Sequence, residues 1–117
     1  MLVEDDAVLV EMYAAKFELE GHDTVVATNG EEALKLLETV TPDIILLDIL
    51  MPKINGFELC RLIRDQTKDE SLIIFIHSGY IAPKHSDQLE SSGANAVIWK
   101  PAGLTEIREA FLKYGLL

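Results

Sequence analysis

Polar side chains suited to chemistry stand just after short apolar runs at several points of the sequence. The acidic segment 4–6 follows the first run, and further along the chain come Asp48, Ser78 and Lys100. Carboxylates bind divalent cations, and ammonium and hydroxyl groups stabilise phosphoryl oxygens. An aspartate can also accept a phosphoryl group covalently. Brought together, these groups would suit phosphoryl transfer onto a carboxylate, a reaction catalysed mainly by positioning and charge.

The apolar runs themselves are predicted to be strands of a parallel sheet. They cover residues 1–3, 24–27, 44–47, 72–76 and 96–99, and most are continuously hydrophobic, as is typical of strands buried on both faces. The first is so short that either the strand is unusual or the sequence begins late. Helical patterns lie between the runs, so the strict alternation predicts an α/β fold of the (βα)5 type, a doubly wound parallel five-stranded sheet with helices on both faces.

The helices are predicted over residues 7–20, from Asn29 onwards, over 56–64, over 83–92 and from about residue 104. The second helix would be capped by Asn29 and would bury Ala33, Leu37 and Val40. The fourth is the weakest, because Leu89 is its one clearly apolar residue. The last would bury positions 104, 107, 111 and 112.

Ligands of open α/β sheets bind at the carboxyl ends of the strands, so the polar groups are expected to converge at one edge. Asp5 and Asp48, with either Glu4 or Asp6, would form an oxygen-only site that suits Mg²⁺ rather than zinc. Taken singly, each residue has a plainer role: Asp5 or Asp6 could cap the first helix, for example. A buried Asp48 without a partner would be costly, which favours the functional interpretation.

Short motifs at these strand ends carry a resemblance to a known family. They are LVEDD at 2–6, DILMP at 48–52, NG at 55–56, SG at 78–79, GA at 93–94 and KP at 100–101. Together, over essentially the whole chain, they resemble the response-regulator receiver domain of two-component signalling. The resemblance implies a flavodoxin-like strand order, 2-1-3-4-5, and a single receiver domain over residues 1–117.

The resemblance also implies a metal site and a phosphoacceptor. Asp48 would accept the phosphoryl group. Asp5 and Asp48 would bind Mg²⁺ through their side chains, Leu50 through its backbone carbonyl and Glu4 through water.

Ser78 and Lys100 would contact the phosphoryl oxygens, with a cis peptide bond before Pro101. The phosphoryl donor would be a phosphohistidine of a sensor histidine kinase or a histidine phosphotransfer protein. A downstream output domain or protein would respond to the changed surface. The domain would then be a signalling switch rather than an enzyme, with chemistry confined to its own phosphorylation and dephosphorylation.

Several positions depart from the family pattern. Val97 stands where the family has an aromatic switch residue, Ala102 follows the Lys-Pro pair where an aromatic is usual, and Asn55 replaces the usual aspartate. Trp99 or Tyr80 could supply a ring, although packing of Trp99 beside the last helix is the simpler expectation. The route from phosphorylation to output is therefore the least determined part of the resemblance.

Composition excludes some classes of binding partner and indicates the compartment. The chain has 117 residues, a formal net charge of −10 and one cysteine, Cys60, which is predicted to lie in the core. The acidic balance argues against nucleic-acid binding, because Lys and Arg hold phosphate backbones. No apolar run approaches the ~20 residues that span a bilayer, so no membrane contact is expected. Sparse cysteine is typical of a reducing compartment and predicts a cytoplasmic protein.

Two alternatives remain at this point. An aspartyl-phosphate phosphatase of the haloacid-dehalogenase kind would need a second acid two residues after Asp48, where Leu50 stands. A degenerate receiver that only mediates contacts would not need the complete set of acids, hydroxyl and lysine. His77 alternates with Ser78 and is predicted to point away from the site, while His22 and His85 are expected to be solvated.

Overall fold

Five parallel strands form one sheet in the order β2-β1-β3-β4-β5 in the computed structural model, which describes residues 1–50 and 54–115. The strands are β1 (Leu2–Val3), β2 (Val26–Ala27), β3 (Ile44–Asp48), β4 (Ile73–Ser78) and β5 (Ala96–Trp99). The sheet confirms the predicted fold class and strand order. The register aligns Asp48 with His77, and Ser78 with Trp99, so the carboxyl ends of β3, β4 and β5 meet at one edge.

Five helices connect the strands: α1 (Ala7–Leu19), α2 (Gly30–Leu36), α3 (Gly56–Thr67), α4 (Ser86–Ser91) and α5 (Leu104–Lys113). A 3₁₀ turn, Pro83–His85, leads into α4. None of the described helices has the length and apolar character needed to cross a membrane. The prediction that α2 extends to Val40 is wrong, because the backbone N–H groups of Glu38 and Thr39 each donate to a carbonyl three residues earlier, Lys35 and Leu36, both at 3.1 Å, as in a turn rather than an α-helix.

The core consists of two layers, one on each face of the sheet. One layer joins Ala33 of α2 and Leu59, Cys60 and Ile63 of α3 to the strands. The other joins α1 and α5 to the opposite strand faces, and in it the rings of Phe17 and Phe111 stack. Alternate strand residues supply the two layers, as expected for strands covered on both sides.

Some packing predictions fail at the edges of this core. Trp99 is 53% exposed and Leu112 is equally so, because β5 is an edge strand and α5 turns Leu112 outward. His22 is half-buried rather than solvated, with its ring edge-on to Phe17 and Phe111. His85 is half-buried too, near the Phe57 ring. The side chain of residue 104 lies outside the described part.

A close backbone approach fixes the path of the chain beyond β3. A Cβ atom at Gly56 would lie 2.4 Å from the Cα of Ile49, which no side chain tolerates without a backbone shift. The Gly56 N–H also donates to the Ile49 carbonyl at 3.1 Å, and the Asn55 side chain caps α3 through the Glu58 N–H. The start of α3 therefore holds the segment that leaves Asp48.

We expect Gly56→Ala to lower the free energy of unfolding by about 3 kcal/mol, because overpacking against backbone cannot be relieved by a rotamer change. Gly79→Ala is the matched control, since its Cβ would meet only Lys100 Cβ at 3.9 Å. Urea unfolding of both variants measures the difference. Equal losses in the two variants would contradict this interpretation of Gly56.

Candidate functional site

Three carboxylates converge at the carboxyl edge of the sheet. Oxygens of Glu4, Asp5 and Asp48 all lie within 4.8 Å of one another. Glu4 and Asp48 are buried, whereas Asp5 is exposed. Asp6 does not join them, because its Oδ1 accepts from the Val8 N–H at 2.9 Å and caps α1. Of the two acids that the sequence left open, Glu4 is therefore the one that faces the cluster.

Glu4 is the most perturbed acid of this cluster. Its Oε2 accepts from the backbone N–H groups of Asp5 and Asp6 at 3.1 and 3.3 Å, and its Oε1 accepts from Lys100 Nζ at 3.0 Å. The pKa of Glu4 is raised to about 7, mainly by burial and also by nearby Asp48, while Lys100 opposes the shift. The crowded carboxylates thus carry more negative charge than the site neutralises, which favours a bound cation.

Lys100 is the cation that the chain itself provides. Its Nζ lies 3.0 Å from Glu4 Oε1 and 3.5 Å from Asp48 Oδ1. Burial opposes the charged form, yet the contacts with Glu4 and Asp48 prevail and raise the pKa of Lys100. Its backbone N–H donates to the Ser78 carbonyl at 2.8 Å, and the bond to Pro101 is cis, as predicted.

Asp48 ends β3 with 5% of its surface exposed. Its Oδ1 accepts from the Leu50 backbone N–H at 3.1 Å, which orients the carboxylate. The Leu50 side chain is exposed, so the backbone of Leu50 is its link to the site. Met51 and Pro52, which belong to the motif at 48–52, lie outside the described residues.

Ser78 reaches the same edge but its hydroxyl is engaged locally. The Oγ donates to the Tyr80 carbonyl at 2.8 Å and accepts from the Tyr80 N–H at 3.2 Å. The residue is buried, while Tyr80 is exposed. The hydroxyl must leave this turn before it can donate to a phosphoryl oxygen.

His77 has a role that sequence reasoning missed. It is buried, and its ring nitrogens meet the Ile98 carbonyl at 2.7 Å and the Tyr13 hydroxyl at 2.8 Å. A carbonyl only accepts, so Nδ1 carries the proton and Tyr13 donates to Nε2. Burial lowers the pKa of His77, consistent with a neutral ring. Strand alternation predicts that His77 points away from the acids, but it does not predict its partner.

Comparison with known proteins decides the family. A family model described as "Response regulator receiver domain" matches residues 1–112. The chain belongs to this family. Receiver domains are phosphoacceptor switches, which removes the phosphatase alternative, and the predicted resemblance is confirmed.

Relatives of this receiver domain occur in different settings. The polar-differentiation response regulator DivK of Brucella anthropi is 26% identical over 97% of this chain and 93% of its own. The transcriptional regulatory protein PhoP of Bacillus subtilis, named for alkaline phosphatase synthesis, is 41% identical over 56% of this chain but only 28% of its own length. The receiver domain of a signal transduction histidine kinase from Syntrophus aciditrophicus is 26% identical over 97% of this chain and 86% of that structure, with a TM-score of 0.87.

Proposed function

We propose that this receiver domain is a phosphorylation-dependent switch in which Asp48 accepts a phosphoryl group from a phosphohistidine of a partner protein. The observation that carries the proposal is the position of Lys100, whose ammonium contacts both Glu4 and Asp48. A cation held beside a buried carboxylate is suited to neutralise a phosphoryl group that the carboxylate receives.

The donor set fits Mg²⁺. Receiver domains bind this ion in an acidic pocket, and the cluster here offers carboxylate oxygens without histidine or cysteine. We propose Asp5 and Asp48 as side-chain ligands, Leu50 as a ligand through its carbonyl and Glu4 through water. The ion would neutralise charge on the phosphoryl group during transfer.

Asp48, Lys100 and Ser78 each have a part in the proposed transfer. An oxygen of Asp48 attacks phosphorus, the phosphorus–nitrogen bond of the donor histidine breaks, and the imidazole leaves with the bonding electrons. The Lys100 ammonium moves its contacts from the carboxylates to the phosphoryl oxygens. Ser78 leaves the Tyr80 carbonyl and donates its hydroxyl proton in a hydrogen bond to the same group.

The partners follow from this chemistry. The donor is a sensor histidine kinase or a histidine phosphotransfer protein, and a downstream output domain or protein binds the altered surface. The relatives named above, DivK, PhoP and a histidine kinase, represent three settings that suit this domain equally. We propose a single domain over residues 1–117, located in the cytoplasm where such donors act, without direct contact to nucleic acid or membrane.

Phosphorylation at Asp48 is tested directly with a small donor. Incubation with acetyl phosphate and Mg²⁺ is expected to add the mass of one phosphate to the intact protein. Asp48→Asn is expected to abolish this addition, because an amide does not accept the phosphoryl group. The matched control is Asp65→Asn, which removes an exposed acid on α3. Full labelling of the Asp48→Asn variant would refute the assignment.

Removal of one acid from the cluster is expected to alter stability in two directions. Asp5→Asn relieves repulsion among the three carboxylates, so the free energy of unfolding without Mg²⁺ should rise by about 1 kcal/mol. Mg²⁺ should raise the melting temperature of the wild-type protein through binding to the folded state, and that rise should largely vanish in Asp5→Asn. Thermal unfolding with and without Mg²⁺ measures both effects. An unchanged Mg²⁺ response would show that Asp5 is not a ligand.

Phosphorylation should loosen or reposition the segment from Ser78 to Ser92. The Ser78 hydroxyl must leave Tyr80, and α4, which follows, has no buried residue and no side-chain cap. Segments with few anchors are the first to move. Beryllofluoride with Mg²⁺, a phosphoryl mimic, is expected to produce the largest change in amide exchange in this segment and a smaller change near Trp99. Unchanged exchange with the mimic bound would place the output surface elsewhere.

A further inference from the structure

A buried polar network lies directly beneath the acidic site, within the core layer of α1 and α5. The Tyr13 hydroxyl donates to His77 Nε2 at 2.8 Å, and His77 Nδ1–H donates to the Ile98 carbonyl at 2.7 Å. Burial raises the pKa of Tyr13. Tyr13, Ile98 and Ala102 belong to one apolar cluster, and His77 is buried as well.

The network packs against residues on both sides of Lys100 and is hydrogen-bonded to the main chain at Ile98. Ile98 lies two residues before the lysine, and Ala102 lies two residues after it. His77 directly precedes Ser78, whose carbonyl accepts from the Lys100 N–H at 2.8 Å. The network is thus tied to the backbone of both residues proposed to contact phosphoryl oxygens.

The network is also electrostatically close to the site. The charges of Lys100 and Glu4 act on the Tyr13 hydroxyl, and those of Lys100 and Asp48 act on the His77 ring. The polar atoms of Tyr13 and His77 already have hydrogen-bond partners within the network, so we assign them no metal-binding or proton-transfer role.

Core packing alone does not require polar side chains at positions 13 and 77. The surrounding layer consists of apolar and aromatic side chains such as Phe17, Phe75 and Ile107. Apolar residues at positions 13 and 77 could fill this layer, because the net stability gained from a buried hydrogen bond is small. What a fully satisfied network adds is fixed geometry.

We propose that Tyr13 and His77 are positioning residues for the phosphorylation site. Through the hydrogen bond to the Ile98 carbonyl they hold the backbone that presents the Lys100 ammonium. The inference rests on the function proposed above, since its consequence is measured in phosphorylation of Asp48.

The decisive variant is Tyr13→Phe, which keeps the ring and removes the hydroxyl. The matched control is Tyr114→Phe, because the Tyr114 hydroxyl also donates a hydrogen bond, to the Asn95 carbonyl at 2.9 Å. Asn95 precedes β5, so this bond lies at the opposite edge of the sheet. With acetyl phosphate and saturating Mg²⁺, we expect the rate of Asp48 phosphorylation to fall roughly tenfold in Tyr13→Phe and less than about twofold in Tyr114→Phe.

A second measurement separates positioning from general structural damage. In a Lys100→Met background, Tyr13→Phe should cause little further loss, because the residue through which it acts is gone. Amide exchange at Lys100 and Ala102, measured without any phosphodonor, should accelerate in Tyr13→Phe and stay unchanged in Tyr114→Phe. If Tyr13→Phe does not fold, His77→Gln takes its place in the same comparison.

Failure of the proposed function and failure of the positioning role give different results. Failure of the wild-type protein to label at Asp48 would refute the proposed function. Normal labelling of the wild type, with equal rates in Tyr13→Phe and Tyr114→Phe, would overturn the positioning role alone. Rate losses of Tyr13→Phe and Lys100→Met that simply multiply would also overturn it.

Discussion

The partly buried ion pair between Lys100 and the carboxylates of Glu4 and Asp48 is the interaction on which the site depends. It joins the end of β5 to the ends of β1 and β3, at separations of 3.0 and 3.5 Å. One ammonium faces three acids, so the pair holds the strand ends together while leaving net negative charge. That imbalance makes the same site receptive to a divalent cation and, once the cation is present, to a phosphoryl group.

The surroundings of this pair differ on its two sides. Beneath it, Tyr13 and His77 link α1 to β4 and β5 within a close-packed layer. Beyond Ser78, α4 is six residues long, without buried residues. We therefore expect a change at the site to be resisted on the α1 side and to move α4, where movement costs least. This asymmetry offers a route to an altered surface that needs no aromatic ring at Val97.

Much of this arrangement could be predicted from the sequence, because parallel topology places all the strand ends at one edge. Glu4, Asp5 and Asp48 meet there as expected. The alternation of apolar runs with helical patterns predicted the parallel α/β architecture, whereas the strand order came from the resemblance to receiver domains. Periodicity shows which face a residue occupies but not its partner, so the bond between Tyr13 and His77, 64 residues apart, had no sequence signal. The exposure of Trp99 was also not predicted. Trp99 ends an edge strand, and the sequence does not show whether a neighbouring element covers a side chain there.

The central claim, that Asp48 carries the phosphoryl group, is tested most directly by chemical trapping. Borohydride reduces an acyl phosphate to an alcohol, so reduction after incubation with acetyl phosphate and Mg²⁺ converts a phosphorylated aspartate to homoserine. Peptide mass mapping is predicted to find homoserine at position 48 alone. Homoserine at another aspartate, or an unreduced Asp48 in protein that has gained a phosphate, would contradict the account.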